Sequence, residues 1–217
     1  NIKVLMDNTW SGGYFFKPFD HGVDVSIQAA TKYISGHADV MIGHATVNKR
    51  DDWKAIKTTS ASLGYCIGGD DAYLTSRGIR TLEVRLERHQ ENGFILAKWF
   101  KDRPEVKAVL HPAYSDCPGH EFWKRDFLGA SGLFGVVLTE VSEERIAAML
   151  DGMELFRMGF SWGGFESLMI PTDPAPIRNV TKSDTKGSYL RVHAGLEDPE
   201  DLVADLESGF RRLNGSE

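Results

Sequence analysis

Short apolar runs of strand length, set close together and then followed by long amphipathic stretches, constrain this chain more than any other feature. "IKVLM" (2–6) reads as a short buried strand that ends at Asp7. "VDVSIQ" (23–28) alternates apolar and polar residues before reaching Thr31 and Lys32, and "VMIGHATV" (40–47) is a third run. A period of two marks a strand. The segment between the first two runs, "SGGYFFKPFDHG", is rich in turn formers and weakly helical. Strands this closely spaced read as one end of an α/β sheet. A long helix is expected from about Asp70 to Lys101. Leu82, Leu86, His89 and Gly93 share one face of it, and Ile79, Leu82, Val84 and Leu86 supply its apolar side. Gly78 marks a bend or a domain entry, and Pro104 stops the helix.

The remainder reads as a second, smaller α/β unit. "VKAVLHP", "GLFGVVLTEV", "ESLMI" and "SYLRVHAGL" are strands, and "GHEFWKRDF" is a short helix. "SEERIAAMLDGM" is a helix begun at Ser142, with acidic residues in its first turn. "DPEDLVADLESGFRRL" closes the chain as an amphipathic helix with Leu202, Leu206, Phe210 and Leu213 on one stripe.

The 217 residues suffice for one large domain or two small ones. A net charge of −6 without a long basic run argues against nucleic acid as a partner. The longest apolar runs are strand-sized, too short to span a bilayer, and no signal-peptide pattern opens the chain. Cys66 and Cys117 sit far apart, outside any CxxC or metal-ligand spacing, and read as reduced thiols of a cytoplasmic protein. The chain starts without methionine and enters an apolar run almost at once, so it reads as a piece of something longer.

In open α/β sheets, ligands sit beyond the carboxyl ends of the strands. Two of the strands expected here lead to charge, one to Asp7 and the other to Lys32. On spacing alone the pair is either an ion pair at a sheet rim or a pyridoxal phosphate site. In such a site a lysine amine holds the cofactor covalently, and a carboxylate keeps its pyridine nitrogen protonated.

Five stretches occur in order over nearly the whole chain: "DNTW", "SIQAATKYISGHADVMIG", "TSRGIRTLEVRL", "FSWGGFESL" and "YLRVHAGLED". Together they resemble the cysteine and methionine metabolism family of pyridoxal phosphate enzymes, the cystathionine lyases and synthases. The resemblance implies the aspartate aminotransferase-like fold of type I. Residues 1–78 would be the C-terminal part of the cofactor-binding large domain, and residues 79–217 a linking helix and the C-terminal small domain. It matches Lys32 to the cofactor-bearing lysine, Asp7 to the aspartate facing the pyridine nitrogen and Thr31 to a phosphate-binding hydroxyl. Arg191 matches the arginine that binds the substrate carboxylate, a task suited to its planar fork. Ser161 matches a residue near that carboxylate and the lysine.

Where many γ-lyases and γ-synthases read S-L-G-G, this chain reads Ser161-Trp162-Gly163-Gly164, so Trp162 joins the substrate site and the bacterial β-lyase subgroup is the nearest resemblance. The implied reaction is β-elimination of cystathionine in methionine biosynthesis, with γ-elimination, γ-replacement or an incompetent fragment as alternatives. The implied assembly is a tetramer built from two dimers. Many relatives carry a serine where this chain has Ala29, which removes one phosphate contact. The family's stacking aromatic ring, its glycine-rich phosphate loop, and the tyrosine and arginine lent by a neighbouring subunit all precede the first motif seen here.

His37, His44, His111, His120 and His193 form no metal-ligand spacing, and no metal is expected. Tyr33 reads as packing. Gly163 and Gly164 serve close backbone approach or a tight turn. Arg77, Arg80, Arg85 and Arg88 are spaced like a helix face, for solvated charge or interdomain pairing.

Overall fold

The computed structural model describes residues 2–180 and 186–216. Two sheets form among them. The first is three-stranded, in the order β1 (Leu5–Asp7), β2 (Val25–Gln28), β3 (His44–Val47). β1 runs parallel to β2, with Asp7 opposite Ile27, and β3 is antiparallel to β2. β1 is an edge strand and Leu5 is 59% exposed, so the expected buried strand is corrected to a shorter and largely exposed one. The glycine-rich connection to β2 holds two 3-10 turns, Thr9–Ser11 and Pro18–His21.

α1 (Arg50–Ser62) follows β3. None of its residues is buried, so no apolar stripe announces it in the sequence. The expected long helix is divided into α2 (Gly69–Gly78), a 3-10 turn (Ile79–Thr81) and α3 (Leu82–Lys101). The division falls beside Gly78, where a side chain has no room: a Cβ there would lie 2.5 Å from the Ser35 carbonyl oxygen and 2.6 Å from that of Ile34. Leu86, His89 and Gly93 of the expected face are buried, but Ile79 and Val84 are exposed. The apolar side of α3 is carried instead by Leu86, Leu96, Ala97 and Phe100.

The second sheet is antiparallel throughout, in the order β4 (Val106–Leu110), β5 (Leu133–Leu138), β7 (Ser188–His193), β6 (Leu168–Thr172). Pro171, which cannot donate to a ladder, lies on the edge strand β6. α4 (His120–Asp126) precedes β5, α5 (Glu143–Asp151) follows it, and α6 (Pro199–Leu213) closes the chain. The main core lies between this sheet and α3, α5 and α6. Phe100, Val136, Leu138, Leu190 and Val192 meet Met149, Leu202, Leu206, Phe210 and Leu213 there. Full burial of one such side chain stabilises the fold by roughly 1.5–3 kcal/mol. The stripe expected on α6 is buried as expected, and Asp198 caps the helix by accepting the Glu200 N–H. Among the described residues no helix is long and apolar enough to cross a membrane.

Alternation along β7 sends side chains to opposite faces. Leu190 and Val192 enter the main core, whereas Arg191 and His193 point to the other face, toward the first half of the chain. One charge fixes the approach to that face. The buried Asp205 carboxylate of α6 accepts the N–H groups of Glu154, Leu155 and Phe156 at 2.9, 2.8 and 3.0 Å. These residues lead into the turn that carries Ser161 and Trp162. Asp205→Ala would leave three backbone donors unpaired, one of them buried and two part-buried, and cost roughly 3 kcal/mol. A lowered urea midpoint is the expected result.

Candidate functional site

Because β1 and β2 are parallel, their carboxyl ends open at the same sheet edge. Thr9 joins the two ends. Its N–H donates to Asp7 Oδ1 and its hydroxyl accepts the Ala29 N–H, both at 2.9 Å. The chain then curls through Ala29–Gly36: the Lys32 N–H donates to the Ala29 carbonyl at 3.0 Å, and the Gly36 N–H to the Lys32 carbonyl at 2.8 Å. The Thr31 hydroxyl bonds to the main chain of Ile42, accepting its N–H at 2.8 Å and donating to its carbonyl at 3.2 Å.

Arg85 braces this curl from α3. Its guanidinium donates to the carbonyls of Tyr33 at 2.6 Å, Ile34 at 3.1 Å and Gly78 at 2.8 Å. Arg85 is buried and bonded to carbonyls of residues 33, 34 and 78, so of the two uses expected for the arginine series solvated charge is corrected for this member. The carbonyl oxygens of the Lys32 curl and of the α2 end meet a cation that burial would otherwise disfavour.

The turn at 159–166 closes over the curl. The Lys32 amine donates to the Ser161 hydroxyl and lies 5.3 Å from the centre of the Trp162 ring. That ring also meets Trp10 at 5.7 Å and Tyr33 at 5.6 Å. Gly163 has φ +85°, and a Cβ there would lie 2.9 Å from the Lys32 Cβ. Both of its expected uses therefore hold, the left-handed turn and the close approach. Ala38, across from Gly164, is a non-glycine residue at φ 56° and adds local backbone strain beside the site.

β7 pins this turn. Arg191 Nη2 donates to the carbonyls of Gly159, Phe160 and Ser161 at 3.2, 2.7 and 3.2 Å. His193 Nε2 accepts the Gly163 N–H at 3.1 Å, and its Nδ1 donates to the Glu166 carbonyl at 3.0 Å. Burial, followed by the nearby Arg191 charge, lowers the Lys32 pKa and so favours the neutral amine.

Thr31, Lys32, Ser161 and Trp162 line a single cavity of about 490 Å³ together with Glu166. Arg191 is joined to them through the Ser161 carbonyl and borders a neighbouring, mainly apolar cavity of about 360 Å³. Asp7 is exposed and lines neither cavity; Thr9 connects it to the Lys32 curl. Lys32 bonds to Ser161 and not to Asp7, whose carboxylate accepts from Thr9, so the rim ion pair is not formed. Three residues of this arrangement, Thr9, Arg85 and His193, stand outside the site set expected from the sequence, which read Arg85 only as part of a charged helix face and His193 only as a histidine without metal-ligand spacing. His193 stands two positions beyond Arg191 on a strand and thus shares its face, a signal that was available from the sequence.

Behind Lys32 lies a buried aromatic group. The Tyr33 and His89 ring centres are 5.2 Å apart, and those of His89 and His193 are 5.1 Å apart. Burial pushes the His89 pKa down to about 4; burial, then the neighbouring His89, pushes that of His193 down to about 3. Both values lie below the ordinary 6.5, so between them the unfolded chain binds more protons than the folded one. Stability is then complete above about pH 6.5 and is lost as pH falls toward 4 and 3, by up to about 1.4 kcal/mol per pH unit for each histidine. Urea midpoints measured from pH 7.5 to 4.5 should decline, with a shallower slope for His89→Phe.

The family model described as Cys/Met metabolism PLP-dependent enzyme matches residues 1–211. The chain is 49% identical to cystathionine beta-lyase of Haemophilus influenzae over 217 residues, 98% of this chain and 54% of that protein. It is 48% identical to cystathionine beta-lyase MetC of Escherichia coli over 214 residues, 97% of this chain and 54% of that protein. The chain thus spans about half the length of the curated relatives it matches. The crystal structure of cystathionine gamma synthase from Xanthomonas oryzae pv. oryzae in complex with aminoacrylate and cysteine superposes with a TM-score of 0.90 at 31% identity. It covers 100% of this chain and 57% of that one.

Proposed function

Because this chain belongs to the Cys/Met metabolism PLP-dependent enzyme family, we propose that its protein catalyses β-elimination of cystathionine to homocysteine, pyruvate and ammonia, a step of methionine biosynthesis. The observation that carries this reading is the Lys32 amine, half buried, with a lowered pKa, and bonded to a serine whose own carbonyl is held by Arg191. The donor set fits pyridoxal phosphate: a nucleophilic amine in a glycine cradle, a hydroxyl one residue before it, and a carboxylate at the end of the adjacent parallel strand.

When bound, the cofactor supplies the electron sink that makes loss of an α-proton feasible. Lys32 would hold it covalently and, once released, take the proton from the substrate α-carbon; the lowering of its pKa by burial and then by Arg191 suits that role. Asp7 would keep a proton on the ring nitrogen. Thr31 would reach the phosphate by turning its hydroxyl proton away from the Ile42 carbonyl, its longer bond at 3.2 Å. Arg191, oriented by three carbonyls, would bind the substrate carboxylate. Ser161 would steer the Lys32 amine, and Trp162 would wall the cavity above it.

In this reading residues 1–78 form the C-terminal part of the cofactor-binding domain, and residues 79–217 the linking helix and small domain, of a cytoplasmic tetramer built from two dimers. The likeness to a γ-synthase structure favours one alternative, γ-elimination or γ-replacement on the same cofactor. Incubation with cystathionine and added pyridoxal phosphate separates them. Pyruvate is the expected product, and 2-oxobutyrate in its place would overturn β-cleavage. Lys32→Ala should abolish both turnover and the visible absorption of the bound cofactor. Arg191→Ala should raise KM roughly 10–100-fold, as the loss of a charge-assisted hydrogen bond predicts. A visible band that needs Lys32 but yields no product would support an incompetent fragment.

A further inference from the structure

The face of β7 that carries Arg191 carries a second side chain without a role in the reading above. We infer that His193 is a positioning residue: as a neutral imidazole with its proton on Nδ1, it holds the Gly163 N–H and thereby sets the Ser161–Trp162 turn against the Lys32 amine. The inference rests on Lys32 being the reacting amine.

The bonds at the ring assign its protonation. The Glu166 carbonyl can only accept, so Nδ1 donates to it; the Gly163 N–H can only donate, so Nε2 presents a lone pair. An imidazolium would have no acceptor for Gly163. The rings of Tyr33 and His89 pack against His193, at 5.9 and 5.1 Å between centres, and keep water away from it. The turn is therefore held by two opposite chemistries from adjacent outward positions of one strand. A cation takes the carbonyls of residues 159–161, and a lone pair takes the N–H of residue 163.

Gly163 passes the restraint on. Its backbone fits so closely over the Cα and Cβ of Lys32 that an added Cβ would lie 3.1 and 2.9 Å from them. The two residues that precede this contact, Ser161 and Trp162, meet the amine itself. Freeing the Gly163 N–H should let the turn lift and hydrate the amine.

The test reads the amine directly and needs neither cofactor nor substrate, so its outcome is separate from that of the proposed reaction. Lysines of the full chain are dimethylated with 13C-formaldehyde, the Lys32 signal is identified by its loss in Lys32→Arg, and its titration is followed by NMR. His193→Phe keeps an aromatic ring but has no acceptor; there the Lys32 midpoint should rise toward the ordinary lysine value. His193→Gln places an amide oxygen near the former Nε2 and should restore the wild-type midpoint. In the unmodified chain, long-range 1H–15N spectra at pH 7 should show His193 protonated on Nδ1 alone. A proton on Nε2, an unchanged midpoint in a folded Phe variant, or a Gln variant shifted as far as Phe would each overturn the inference. Should the Phe variant not fold, the tautomer and the Gln variant decide it.

Discussion

The site depends on a strand that is anchored on one face and functional on the other. β7 is an interior strand, bonded to β5 and β6, and its Leu190 and Val192 are fully buried in the core under α3, α5 and α6. That burial immobilises the strand, and the pleat then presents Arg191 and His193 outward at fixed spacing. Rotating either away would require slipping the strand by one residue, which would exchange core and site faces along its whole length. The hydrophobic contacts of the second sheet are thus what hold the guanidinium and imidazole in register with a loop more than a hundred residues earlier.

The opposite wall depends on a buried cation. Arg85 takes its counter-dipoles from the main chain, and the carbonyls it binds belong to the Lys32 curl and to the end of α2. Gly78 allows the two to meet, since a side chain there would strike the backbone of Ile34 and Ser35. α3 therefore serves both halves: its Arg85 and Leu86 face the Lys32 curl and the Phe15–Tyr33 cluster, while Leu96 and Phe100 lie in the main core. Movement of one unit against the other would strain the bonds that shape the Lys32 curl.

Patterns that depend on local periodicity were legible in the sequence. The stripe Leu202, Leu206, Phe210 and Leu213 and the strands of the second sheet follow from burial with a period of 3.6 or 2, whereas the alternation leading to Lys32 does not match burial, since Ile27 is exposed and Ser26 and Gln28 are buried. α1 was not legible because it buries nothing and leaves no stripe. The division between α2 and α3 was only hinted at by Gly78, since its cause is a carbonyl from a distant loop. For the same reason Arg85 read as either solvated charge or interdomain pairing: nothing near it in sequence reports that the Tyr33 and Ile34 carbonyls will meet it.

What the sequence determined by itself is the set of chemical groups and their order: a lysine after a strand, an aspartate at the end of another, an arginine on an outward strand position, and a Ser-Trp-Gly-Gly turn between them. Family resemblance rests on that order. The tertiary structure alone decided which groups meet. It brought Lys32 to Ser161 instead of Asp7, left Asp7 attached through Thr9, and set His193 against Gly163. The physical reason is that these contacts join segments separated by many residues. Their geometry depends on how two sheets pack about α3, and local propensity carries no information on that.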